Sequence, residues 1–222
     1  MDEPQSEEEL LERAFQVAGL SLGELGARVG VHVPEEGARG KGVAGRIMEL
    51  VLGATAASRA EPDFLGLGIE LKTIPVTAKG KPSESTFVAS IALSVMADTD
   101  WENSVVRKKL AKVLFVPVEA ASATPLRDRR VGRAYLWVPT GEEEALLRRD
   151  WERLAEMIGK GDVARITGHL GAVLQVRPKA ATGSVRRRAP DEEGAVQWAT
   201  PRGFYLRPSF TGAVLARLRA EA

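Results

Sequence analysis

A chain of 222 residues, 44% of them apolar, has hydrophobic surface enough for one large domain or for two lobes sharing a cleft. It contains no cysteine and only two histidines, His32 and His169, which excludes disulfides, thiolate metal sites and a histidine-rich zinc centre and leaves oxygen ligands for any metal. The net charge of +1 conceals a polarity: residues 1–100 carry 9 basic and 16 acidic side chains, a balance of −7, whereas 101–222 carry 22 and 14, a balance of +8. An acidic half that collects cations beside a basic half that meets a polyanion is one reading of that division; ordinary solvated surfaces that happen to differ are the other. The N-terminus, MDEPQSEEELLERAF, is acidic where a secretory signal is basic, and no run approaches the roughly 18 apolar residues of a membrane span. A soluble, cytoplasmic protein with no membrane association is expected.

In chain order, Ser6 with Glu9 three residues on predicts a capped amphipathic helix over 6–17, with Leu10, Leu11, Ala14 and Phe15 at helical spacing and Gly19 as its stop. Ser21 and Glu24 repeat the capping arrangement and open a second short helix. A loop of turn formers, VPEEGARGKG, leads into VAGRIMELVLGATAA, apolar on nearly every side and read as a buried helix over 43–57. Residues 68–76 and 85–95 read as strands that TAKGKP joins into a hairpin-like pair. A basic helix follows at 105–110, then strands in VLFVPV and RAYLWVP, and a long helix over 142–158 whose alternating charges predict one solvated side. AVLQVRPKA reads as a strand running into a loop, SVRRRAPDEEG as a flexible connection, and the C-terminus as a strand followed by a helix capped by Ser209. The class is mixed α/β, with no internal repeat and no linker long enough to divide the chain into independently folding domains.

The chemistry concentrates in DFLGLGIELKTIPV, residues 63–76. Period-two alternation sends Ile69, Leu71 and Thr73 to one side of the strand and Glu70 with Lys72 to the other, and the glycines of LGLG let the chain bring Asp63 back beside Glu70. Two carboxylates can hold Mg²⁺ through a few protein oxygens and several waters, and a neighbouring lysine can orient a water or stabilise developing charge, a set suited to phosphodiester hydrolysis. A surface Glu–Lys pair with an unrelated aspartate remains the alternative, because D-x(n)-E-x-K with a loose gap arises often by chance. Glu49 and Arg46 are the only charges of their apolar helix; Glu49 either belongs to the same site or pairs with Arg46 at i,i+3.

These residues, together with GKPSESTFV, VRKKLAKVLFVPVE, LQVRPKAA and PRGFYL, resemble in order and spacing the MutH family of DNA mismatch-repair endonucleases, related to the Sau3AI-type restriction enzymes. The likeness runs from the first helix to the last. It implies a restriction-endonuclease-like α/β fold, a central mixed sheet with flanking helices, built as one domain over 1–222 from two lobes around a DNA-binding cleft. It further implies Mg²⁺-dependent nicking of the unmethylated strand at hemimethylated GATC sites by a monomer, stimulated by MutL after MutS finds a mismatch. Carried over by motif, Asp63, Glu70 and Lys72 form the catalytic set, with Asp63 and Glu70 as the metal ligands; Glu49 is the helical acid beside them and Lys109 a further active-site lysine. Lys41 would contact DNA, and Phe87, Arg177, Lys179 and Tyr205 match positions on DNA-reading loops, Tyr205 being implicated in sensing adenine methylation. Pro178 between Arg177 and Lys179 stiffens the chain that presents them, and solvated surface charge is the plainer reading of both. Phe87 and Tyr205 would on their own read as core, Lys109 as part of a solvated helix face, and Trp101 and His169 as packing or surface residues. A GATC restriction endonuclease and a noncatalytic DNA-binding accessory protein are the competing readings. The stretch between Lys179 and Pro201 departs from the family pattern; its arginines would add nonspecific phosphate contacts or sit in a disordered loop.

Overall fold

The computed structural model describes residues 2–35, 42–56, 60–91, 99–179, 187–190, 196–199 and 201–222. The chain separates into two compact units, 1–84 with 111–138 and 211–222, and 85–110 with 139–210.

In the first unit, α1 (Glu7–Val17) starts where Ser6 Oγ accepts the Glu9 amide, and α2 (Leu22–Val29) starts with a reciprocal Ser21–Glu24 capping box. α3 (Val43–Leu52) ends earlier than the sequence predicts, at Leu52 rather than Ala57, because Gly53 turns left-handed at φ 82° and its amide closes onto Glu49 O. β1 (Glu70–Val76) runs parallel to β3 (Val113–Glu119), Glu70 opposite Val113, and the short β4 (Tyr135–Trp137) adds antiparallel to β3. Leu71, Leu114, Val116 and Val118 meet Leu10, Leu22, Leu25, Ile47, Met48 and Leu52 from the three helices in a continuous apolar core. The other face holds a Phe115–Trp137 ring contact at 5.5 Å between centroids.

The second unit holds β2 (Thr86–Ser90), α4 (Val105–Leu110), α5 (Gly141–Gly159), β5 (Leu174–Pro178), β6 (Arg187–Pro190), β7 (Val196–Ala199) and β8 (Arg202–Leu206). Its three-stranded antiparallel sheet has the order β2-β8-β5, and β6 pairs with β7 in a separate ribbon. α5 opens on a Thr140–Glu143 capping box and buries Leu147, Trp151, Leu154 and Ile158. α6 (Pro208–Glu221) begins at the boundary between the units.

Four further expectations change. The strands at 68–76 and 85–95 do not form a hairpin: β1 takes β3 as partner and β2 takes β8. The turn between them supports only a Val76–Pro82 bridge, because Pro75 and Pro82 have no N–H with which to continue a ladder. Instead of one central mixed sheet, the described strands form three separate ones, and among them only β1-β3-β4 is mixed. Within the supposed flexible connection, 187–190 pairs in register with 196–199; the rest of it lies outside the described residues, as do Lys41 and 92–98. Ser209 sits inside α6 and does not cap it, since Pro208 takes the opening position that a missing N–H and fixed φ suit.

Candidate active site and nucleic-acid interface

The first unit gathers four predicted site residues around the start of β1. Phe64 and Ile69 pair across the turn 65–68, with Phe64 N to Ile69 O at 2.9 Å, and Gly68 at φ 64° supplies the left-handed step. That turn folds Asp63 back so that its Oδ2 accepts the Leu71 amide at 2.8 Å, one residue beyond Glu70. Thr55 N and Ala56 N donate to the Asp63 carbonyl, which fixes its backbone as well. Glu70 is 2% exposed, and its Oε1 accepts from Lys72 Nζ at 2.5 Å. The surface Glu–Lys reading therefore fails: Glu70 is buried and Lys72 half-buried, and a buried carboxylate is retained where a cation and hydrogen bonds compensate it.

Glu49, half-buried on α3, joins them electrostatically. Its carboxyl is held above the ordinary range, chiefly by burial and then by the Asp63 charge, with Lys72 pulling the other way, Glu70 adding repulsion and Arg46 giving the weakest pull. No Arg46–Glu49 ion pair forms, so the i,i+3 alternative is set aside in favour of membership in the acidic group. Three carboxylates facing one lysine leave an excess of negative charge, and this donor set fits a hard, oxygen-seeking divalent cation. Among the described residues no group of three or more Asp, Glu or His side chains forms a ready-made metal cage. A small ion that keeps several waters and takes one or two carboxylates suits that arrangement better than a fully protein-ligated one.

Lys109 belongs to the second unit, on α4, and is buried at 9% exposure. The solvated-face reading holds for Lys108 alone; Arg107 pairs with Glu144 at 2.9 Å.

Lys41 aside, the remaining predicted residues meet on one face of the β2-β8-β5 sheet. Tyr205 lies opposite Phe87 on one side and Gln175 on the other, and Gly203 lies opposite Ser90 and Arg177. Directly opposed residues share a face, so Phe87, Tyr205, Arg177 and, two residues on, Lys179 emerge together. Leu174, Val176, Phe204 and Leu206 occupy the other face, in the core. Phe87 and Tyr205 are half-buried in an edge-on contact at 5.3 Å. The packing reading of these rings is thus partly right, yet they pack on the polar face. Gly203 is required there: a Cβ would come within 2.8 Å of the Phe87 ring and 2.9 Å of Ala89 O. Lys179 Nζ sits 4.8 Å from the Phe87 centroid and donates to Ser90 Oγ at 2.7 Å. Arg177 and Lys179 are exposed. Trp101 is buried against Trp151 and His169 is exposed, matching the packing and surface roles expected of them.

Three supporting groups escape sequence reading. Glu3 accepts from Thr55 Oγ1 and from the Gly66 amide, both at 2.9 Å, and so clamps the two segments that flank Asp63. Asp150 is buried on α5 and its Oδ2 accepts the amides of Val173 and Leu174 at 2.7 and 3.0 Å, fixing the start of the strand that carries Arg177. Its position among Leu147, Trp151 and Leu154 was the available signal, since it falls on the helix's apolar stripe. Ser85 and Gln175 form a small network beneath Arg177 that no motif announces.

Residues 52–150 match the family model described as DNA mismatch repair enzyme MutH. The chain is 50% identical over 214 residues to the DNA mismatch repair protein MutH of Serratia proteamaculans, covering 96% of this chain and 94% of that one. It is 49% identical over 214 residues to the protein of the same name from Klebsiella pneumoniae subsp. pneumoniae, covering 96% and 93%. Against the Shewanella amazonensis protein of that name, identity is 50% over 212 residues, with coverage of 96% and 95%.

Proposed function

The chain belongs to the MutH family of DNA mismatch repair endonucleases, and on that premise we propose that it nicks the unmethylated strand at hemimethylated GATC sites, with Mg²⁺ as cofactor and MutL, following MutS, as its activator. The observation that carries the reading is the gathering of Asp63, Glu70, Lys72 and Glu49 at the start of β1, around a Glu70 that is 2% exposed.

Asp63 and Glu70 are the carboxylates that would hold Mg²⁺, which when bound lowers the pKa of a water and neutralises charge on the phosphate. Lys72, held against Glu70, orients the attacking water and places a positive charge where the phosphate becomes more negative. Glu49 adds acidity to the same group. Its raised affinity for a proton, caused by burial and by the other carboxylates, is the property a bound cation would reverse. Lys109 supplies a second active-site cation in this reading, which rests on its motif and its burial.

Phe87, Arg177, Lys179 and Tyr205 form the DNA-reading face, with Arg177 addressing a base edge and Tyr205 the adenine methyl position. Lys41 is assigned a DNA contact by its motif alone. The family likeness also supports reading residues 1–222 as one restriction-endonuclease-like domain, acting as a monomer. A cytoplasmic location belongs to the same proposal; among the described residues no helix is long and apolar enough to cross a membrane.

The test is a nicking assay with Mg²⁺ and MutL on matched plasmids carrying GATC unmethylated, hemimethylated on either strand, or fully methylated, with Glu70→Ala as control. Nicks confined to unmethylated strands and absent from the control are expected. Linear product ahead of nicked circles would favour the restriction-enzyme reading, and nicking by Glu70→Ala at the parent rate would refute the site.

A further inference from the structure

Gln175 is the anomaly on the DNA-reading face. It is 5% exposed, between the buried Leu174 and Val176, and a buried amide is retained only where its hydrogen bonds are met. Its Nε2 donates to Ser85 Oγ at 2.8 Å, and Arg177 Nη1 donates to the same oxygen at 3.0 Å. Ser85 lies two residues before Phe87, on the same side of the chain. With both acceptor positions of its hydroxyl engaged, the hydroxyl hydrogen points away from both donors. Among the described residues the guanidinium is tethered at one nitrogen, Nη1, and its remaining N–H groups stay available to another partner.

We propose that Ser85 and Gln175 are positioning residues that fix the orientation of the Arg177 guanidinium for reading one base pair of the recognition site. An exposed arginine samples many rotamers, and ordering it at the moment of binding costs entropy. Fixing it beforehand changes a cation that satisfies any phosphate into a planar fork aligned with a guanine edge. Asp150 and Arg207 hold the chain entering β5, so the buried amide starts from a fixed backbone. The consequence falls on sequence choice more than on affinity. The proposal rests on the reading of Arg177 as a base contact.

The experiment compares kcat/KM on short duplexes carrying GATC and each singly substituted site, for the parent and for Ser85→Ala, Ser85→Thr, Gln175→Met and Arg177→Ala, each first checked for a cooperative thermal transition. Arg177→Ala is expected to lose discrimination at one position, within the roughly 5- to 150-fold that a single bidentate base contact carries. Ser85→Ala and Gln175→Met should lose about tenfold of discrimination at that same position, with KM on the cognate duplex near the parent's, and Ser85→Thr, which keeps the hydroxyl, should restore it. Full discrimination in Ser85→Ala beside its loss in Arg177→Ala would overturn the proposal. So would an equal slowing on every duplex, the mark of a merely structural role. Unchanged discrimination in Arg177→Ala would instead remove the base-reading role itself, and the proposal with it.

Discussion

Lys72 is held at 2.5 Å from a carboxylate that water scarcely reaches, and so has one orientation to offer a substrate. Lys72→Ala is therefore expected to lower the single-turnover nicking rate by at least about 100-fold, the scale at which a positioned proton-transfer or charge-stabilising group acts. The Kd for a GATC duplex, measured without divalent cation, should stay within a few-fold of the parent's; equal losses in both would mean that the lysine binds DNA and does no chemistry. Glu49 gives a second test. An acid whose folded pKa is raised binds more protons folded than unfolded, so it makes stability fall as pH rises from its ordinary value of 4.5 through the raised one. In EDTA, Glu49→Gln should flatten that decline and melt above the parent at pH 7, whereas a lower melting temperature there would show that the carboxylates do not repel one another. Much of this site was legible in the sequence, since period-two alternation alone puts Glu70 beside Lys72, and an acid in an apolar helix marks Glu49. Ser85, Gln175 and Glu3 were not, because each acts through a hydrogen bond to a residue between 52 and 92 positions away, and nothing local in the chain encodes such a partner.

α3, which carries Glu49, stops at Leu52. Gly53 adopts φ 82°, and a Cβ there would lie 2.4 Å from Asp2 O and 2.8 Å from the Arg13 guanidinium that bridges Asp2 O and Leu52 O. Gly53→Ala thus meets both a left-handed backbone and an overlap with main chain, and should destabilise the fold by about 2 kcal/mol in urea titration. A change under half that would mean the N-terminal segment gives way freely. On α5, Asp150→Ala leaves the amides of Val173 and Leu174 without their acceptor in a buried setting; a loss of about 2–4 kcal/mol is expected, with faster amide exchange at Leu174 as the local readout. The helix starts were readable because Ser6, Ser21 and their glutamates act within one turn. The supposed hairpin was not, because two strands eight residues apart look adjacent until the prolines at 75 and 82 are counted as missing donors. Asp150 falls between these cases: it lies on the stripe that Leu147, Trp151 and Leu154 define, a sign of burial that the charged residues beside it in sequence obscure.

At the scale of the molecule the charge polarity dissolves. The halves of the chain differ by −7 and +8, but the units interleave those halves: the first holds 16 basic and 17 acidic residues, a balance of −1, and the second 15 and 13, a balance of +2. No unit is a cationic body, so attraction to a polyanion must come from a few placed cations rather than from a broad field. In the proposed reading Arg177 and Lys179, exposed on one sheet face, are such cations, and they differ in kind: Arg177 is tethered to a hydroxyl, whereas Lys179 rests over the Phe87 ring as a point charge. Each phosphate neutralised releases counterions and adds about 0.9 to the steepness of log K against log salt. Binding of a GATC duplex, titrated between 50 and 200 mM KCl, should therefore lose about one unit of slope in Lys179→Ala, with affinity falling alike for cognate and substituted sites. Arg177→Ala should leave the slope nearly unchanged and erode the preference for the cognate site. Were both variants to lose the same slope with preference intact, both cations would be phosphate anchors, and sequence reading would have to move to Phe87 and Tyr205, where aromatic contact with a base methyl replaces the guanidinium fork.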